Sequence, residues 1–152
     1  GMTRKVELRR VTPDDLPALA ELERACFTAP WDEDALRLSY ESPVEELTCA
    51  ICGSDVCGYL CAAVIPDEAE VLRIAVSPRY RRMGIARQLL RVLTDDLRVN
   101  TVFLEVRFGN TPARALYAGE GFQELRVRKN YYDNPVEDGV IMSRTRDAKG
   151  GL

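Results

Sequence analysis

The chain has 152 residues, room for one domain around one core. It is 46% hydrophobic and 30% charged, an ordinary globular balance, and its net charge of −3 gives no reason to expect nucleic-acid binding. It contains no histidine, which excludes Ser-His and Cys-His nucleophiles and His-based zinc hydrolysis, so acid–base chemistry falls to Glu, Asp, Tyr, Lys or Cys.

Residues 5–11 alternate as a strand. Thr12-Pro13-Asp14-Asp15 opens a helix with a hydroxyl cap, an early proline and acids toward the positive dipole end. Leu16, Leu19, Ala20, Leu22 and Ala25 form its apolar stripe, with charged residues between them. Pro30-Trp31 interrupts, and residues 32–40 read as a second short helix. Residues 46–52 and 56–65 are strands around a Gly53-Ser54-Asp55 hairpin turn; Pro66-Asp67-Glu68 turns into another strand, 69–76. After Ser77-Pro78 an amphipathic helix spans 82–97, with Leu89, Leu90, Leu93 and Leu97 on its apolar side. Residues 101–108 are a strand, 110–119 a short helix, and 122–129 and 140–144 the last strands. The order β-α-α-β-β-β-α-β-α-β-β predicts an α/β (α+β) single domain with a mixed sheet, antiparallel first and parallel where the long helix crosses over. The expected domain covers residues 2–146, with 147–152 as a flexible tail and Gly1 as a remnant of tag removal.

No apolar run approaches the roughly 18 residues of a membrane span, and the charged N-terminus lacks a signal-peptide core. Five cysteines, an odd number among strand-like residues, suit reduced thiols in a cytoplasm better than a disulfide framework. Cys49, Cys52, Cys57 and Cys61 superficially resemble a zinc cluster. Alternation puts Cys49 and Cys52 on opposite faces, so no metal is expected.

The chemistry concentrates later. Arg79, Arg81, Arg82, Arg87 and Arg91 crowd the start of the long helix, where the dipole end is already positive. Either this is a solvated basic face, or an anion sits on the exposed amides of Arg81-Arg82-Met83-Gly84-Ile85-Ala86. Gly84 would allow close backbone approach, and Ala86 keeps the next turn small. In the 101–108 strand, Val102, Leu104, Val106 and Phe108 share one face, and Thr101, Phe103, Glu105 and Arg107 the other. Glu105 is then either an exposed partner of Arg107 or a partly desolvated base. Tyr117 is either a packing residue with its hydroxyl in water or a proton donor.

Together the 81–86 loop, which fits R/Q-x-x-G-x-G/A, and the element order resemble the GNAT superfamily of N-acetyltransferases. Ile74-Ala75-Val76, Leu104-Glu105-Val106-Arg107, Asn110, Ala115-Leu116-Tyr117, Gly121-Phe122 and Arg128-Lys129-Asn130-Tyr131-Tyr132, with the Pro30-Trp31 segment, resemble its bacterial ribosomal-protein-alanine (RimI) type.

That resemblance implies helices on both faces of a sheet splayed at its parallel pair, and acetyl-CoA as co-substrate. Ile74, Ala75 and Val76 would serve the pantetheine arm, and Arg81, Arg82, Met83, Gly84, Ile85, Ala86 and Arg87 the pyrophosphate. Asn110 would lie near the reactive end. Glu105 would be the general base, Tyr117 the general acid, and Trp31, Tyr131 and Tyr132 would border the acceptor. The implied partner is a protein N-terminal amine, in that family a ribosomal protein's. A transferase for small amines or lysine side chains, or a noncatalytic CoA-binding domain, are the alternatives. Ala86 stands where glycine is commoner, the connection at 97–101 is short, and Thr28-Ala29 lengthens the stretch before Pro30.

Overall fold

The computed structural model describes residues 5–146; the domain start at 2–4 and the expected tail at 147–152 lie outside the described residues. Seven strands form one sheet: β1 (Val6–Arg10), β2 (Glu45–Cys52), β3 (Asp55–Ile65), β4 (Asp67–Val76), β5 (Val99–Arg107), β6 (Gln123–Tyr132) and β7 (Glu137–Thr145). Their order is β1-β2-β3-β4-β5-β7-β6, and only β4–β5 is parallel. The parallel pair needs a crossover, which α3 (Ile85–Thr94) supplies. The other helices are α1 (Leu16–Cys26), α2 (Glu33–Glu41) and α4 (Thr111–Gly119).

Period-2 alternation divides the core into two layers. Under α3, Ile85, Leu89, Leu90 and Leu93 meet Leu60, Ala62, Val102, Leu104 and Val106. Under α1 and α2, Leu16, Leu19 and Leu36 meet Leu47, Tyr59 and Ala75. Each leucine so buried contributes about 1.5–3 kcal/mol. The cysteines divide the same way, Cys49 and Cys61 beneath α1 and α2, Cys52 and Cys57 beneath α3. Among the described residues no His, Cys, Asp and Glu cluster could hold a metal, and no helix is long and apolar enough to cross a membrane.

Several local expectations differ. The helix expected over 82–97 is only Ile85–Thr94, because Arg82 and Gly84 take left-handed φ of 66° and 75°. At the other end Val99 N–H donates to the Asp96 carbonyl in a turn, leaving Leu97 90% exposed and off the apolar face. In α1 Ala25 is exposed and Glu23, not an apolar residue, joins the buried stripe. Phe108 lies beyond β5 and is exposed, while β6 and β7 extend further toward each other than alternation predicts.

Candidate active site

The arginine-rich loop begins where β4 ends. Ser77 N–H donates to the Cys57 carbonyl at 2.8 Å, and the Tyr80 hydroxyl, on a buried ring, donates to Asp55 at 2.5 Å. These bonds pin the chain before it turns through left-handed Arg82 and Gly84 into α3. Gln88 N–H donates to the Gly84 carbonyl at 3.1 Å, so the preceding amides of α3 have no acceptor within the helix. They face a cleft of about 360 Å³ with Arg81, Arg82, Gly84, Ala86 and Arg87 along it, Val76 on one wall and Leu116 on the other. Met83 and Ile85 turn their side chains into the core, so only their backbone amides could serve an anion. Glu120 neutralises Arg87 and Arg91 at 3.1 and 2.9 Å, while Arg82 has no ionic partner among the described residues. No carbon stands within 4 Å of a Cβ built on Gly84; the space it leaves is open.

The sheet opens beside this cleft. β4 pairs with β5 only from Asp67↔Val99 to Glu70↔Phe103, and then the strands part. β4 also carries a bulge opposite Cys61/Ala62. The freed edge contains Ile74, Ala75 and Val76; Cys26 Sγ donates to the Val76 carbonyl at 3.4 Å, and Ala75 is buried beneath α1. Meanwhile β5 stays paired with β7, Glu105 lying opposite Ile141, so the carboxylate sits at a rigid edge of the opening.

Glu105 does not pair with Arg107. The Arg107 guanidinium donates instead to the carbonyls of Asp133 and Pro135, at 2.8 and 2.9 Å, and to Glu137 at 3.3 Å. It thereby fastens the β6–β7 turn, which brings Tyr131 and Tyr132 to Glu105. Hydrogen bonding to Glu105, with some burial, raises the Tyr131 phenol. Burial, then the Glu105 charge, pushes Tyr132 up to about 12. Both rings depend on Gly139, where a Cβ would come within 3.1 Å of each.

Tyr117 is 7% exposed and touches Phe122, ring centroids 6.0 Å apart. Burial pushes its pKa up to about 12, keeping it a donor. Its hydroxyl makes no hydrogen bond among the described residues. Since no buried side-chain oxygen there lacks a partner, that hydroxyl reaches solvent. Tyr132 feels both Glu105 and Tyr117, so the carboxylate and the phenol belong to one locality. Asn110 caps α4, its Oδ1 accepting from Ala113 N–H at 3.2 Å, so its oxygen is already engaged.

Trp31 sits with a group that alternation did not reveal. Fully buried Glu23 accepts from the Tyr59 hydroxyl, from Arg73 and, at 2.9 Å, from Trp31 N–H. A carboxylate on the apolar stripe of one helix and an arginine in an apolar strand were the available signal.

The acetyltransferase (GNAT) family model matches residues 16–122. The chain is 36% identical to the [ribosomal protein bS18]-alanine N-acetyltransferase of Escherichia coli strain K12 across 134 residues, 85% of this chain and 90% of that protein. It is 36% identical to the N-alpha-acetyltransferase RimI of Mycobacterium tuberculosis over 93% of this chain and 94% of the relative. The crystal structure of the ribosomal-protein alanine N-acetyltransferase from Escherichia coli superposes with a TM-score of 0.87 at 32% identity, covering 97% of this chain and 99% of that one.

Proposed function

This chain belongs to the acetyltransferase (GNAT) family and is an acetyl-CoA-dependent N-acetyltransferase, and from that premise we propose that it acetylates the α-amine of a protein N-terminus, with Glu105 and Tyr117 moving the protons. The relatives just described act on alanine of a ribosomal protein or carry an N-alpha-acetyltransferase name, so an alanine N-terminus is the first acceptor to try. A cytoplasmic location accompanies this reading.

The carrying observation is the parted β4–β5 pair, with Glu105 at one edge and the arginine loop leading into it. Acetyl-CoA supplies an activated thioester. The exposed amides of α3 and the Arg81 and Arg82 guanidiniums would hold its pyrophosphate. The free edge of Ile74, Ala75 and Val76 would take the extended arm by strand-like hydrogen bonds, fixing its carbonyl in the opening.

Glu105 accepts a proton from the incoming ammonium, directly or through one water, exposing the nitrogen lone pair. Tyr117, held protonated by burial, donates its hydroxyl proton to the sulfur as the carbon–sulfur bond breaks. On becoming an amide the ammonium sheds two protons, the first to Glu105 and from there to solvent, the second through water to the Tyr117 phenolate that has just protonated the thiolate, and no covalent acyl-enzyme is needed. Tyr131 and Tyr132 present protonated phenols beside Glu105 and line the acceptor side.

Incubation of the protein with acetyl-CoA and peptides that begin with alanine and contain lysine, followed by mass spectrometric sequencing, tests the acceptor. Acetyl on the α-amine is expected. Acetyl confined to lysine, or transfer only to small amines, would refute the N-terminal reading.

A further inference from the structure

Arg73 follows the β4 bulge and projects toward α1. Its Nε donates to Glu23 Oε2 at 3.1 Å and its Nη2 to Glu23 Oε1. The Cζ atom lies 3.9 Å from the Phe27 ring centroid and 4.9 Å from that of Trp31. Nη2 also donates to the Ala29 carbonyl at 3.5 Å, so three hydrogen bonds and two rings fix the plane of a guanidinium whose side chain keeps 17% exposure.

Burying an ion pair contributes little net stability, because desolvating both charges offsets their attraction. Its distinctive product here is a direction. The hydrogen bonds to Glu23 and to the Ala29 carbonyl use Nε and Nη2, which leaves the two N–H donors of Nη1 outside them. As no buried side-chain nitrogen there lacks a partner, Nη1 reaches solvent. Its plane is set by the other two nitrogens.

β4 and β5 part after Glu70↔Phe103, and β4 spends one extra residue in its bulge, so Arg73 comes level with Glu105 across the opening. Both lie on the α1 side, since Val102, Leu104 and Val106 turn the other way beneath α3. Glu23 cancels the charge of Arg73, so the site offers donors without a net positive field. It suits a neutral oxygen, and it does not repel the ammonium that Glu105 receives.

We infer that Arg73 determines acceptor specificity, its Nη1 donating to a backbone carbonyl in the first two residues of a peptide acceptor, with Glu23 and Trp31 positioning it. A peptide N-terminus carries such an oxygen at a fixed distance from its amine; a simple alkylamine does not. This rests on the proposed transfer to an N-terminal amine at Glu105.

The test is a cycle of wild type and Arg73→Lys, which keeps a charge for Glu23 but lacks Nη1. The acceptors are an alanine-initiated peptide and two analogues with the first or second peptide bond replaced by a trans alkene. Acetyl-CoA KM and its stabilising thermal shift should be unchanged. Arg73→Lys should lower kcat/KM for the natural peptide about 10–100-fold, mainly through KM. One alkene peptide should be worse for wild type by a similar factor yet suffer no further loss in the variant. If Arg73→Lys does not fold, Glu23→Gln with Arg73→Gln leaves no unpaired charge and should behave likewise. Equal losses with all three acceptors, or none, would overturn the inference. Wild type inactive on every N-terminal peptide would instead overturn the reading beneath it.

Discussion

Replacing Gly84 by aspartate separates the structural role of the 81–86 loop from the anion binding proposed for it. Gly84 has φ 75° and ψ 17°, and a Cβ there would meet nothing within 4 Å. Left-handed backbone costs a non-glycine residue about 1 kcal/mol, less for Asp, whose carboxylate is also favoured at a helix N-terminus by about 0.3–1 kcal/mol. These terms nearly cancel. Without cofactor, the melting temperature should therefore stay within about 4 °C of wild type. With acetyl-CoA at about 100 times its Kd, wild type gains about 2.7 kcal/mol, an upward shift of about 5–10 °C. A carboxylate about 4 Å from a phosphate charge costs about 4 kcal/mol at an effective dielectric near 20, weakening binding about 1,000-fold. The shift should vanish at the same acetyl-CoA concentration, and calorimetric titration should show the same loss. Gly84→Asn, equal in size but uncharged, should retain part of it. An undiminished shift in folded Gly84→Asp would refute the placement of the pyrophosphate.

Gly58→Ala should lower stability by about 1–3 kcal/mol, because its Cβ would stand 2.9 Å from the Ala75 carbonyl oxygen and 3.1 Å from Ile85 Cγ2; scanning calorimetry would show several degrees lost. Disulfide-exchange labelling of native protein should find one accessible thiol, Cys26, and all five only after denaturation. Cys49, Cys52, Cys57 and Cys61 are buried, and burial pushes Cys57 and Cys61 up to about 11 and about 12. The Arg9 hydrogen bond, with bonds from Thr12, lowers Asp15 to about 2 against burial. A carboxylate so depressed contributes stability above its unfolded pKa that is lost as pH falls from about 4 toward 2. Asp15→Asn should thus cost about 1 kcal/mol at neutral pH, discounted because Arg9 is exposed, and progressively less as pH falls through about 2, as melting curves across pH would show.

Much of this architecture is local in origin and therefore legible. Gly53 and Pro66 mark the hairpins, and strict alternation in β5 places Glu105 opposite the Val102, Leu104 and Val106 face. The arginines at the head of α3 drew attention to this loop because they break a dipole preference. Helix limits were less legible: leucine periodicity runs on to Leu97, but Asp95 and Asp96 turn the chain first, and left-handed Arg82 delays the start. Long-range features left the weakest trace. Glu23 and Arg73 lie 50 residues apart, the parting of β4 from β5 depends on a bulge, and Arg107 reaches a turn 26 residues onward. Gly139 looks ordinary until two tyrosine rings are seen against it.

The division of labour between Glu105 and Tyr117 is tested most directly by their variants on two thioesters. Glu105→Gln should lower kcat/KM about 10²–10⁴-fold with little change in acetyl-CoA affinity, since the carboxylate serves the amine. Tyr117→Phe should slow the chemical step, and an acetyl thioester with a more acidic thiol should recover part of its rate, because that thiolate needs less protonation. The same thioester should do little for Glu105→Gln. Equal rescue of both variants, or wild-type rates from either, would contradict the account.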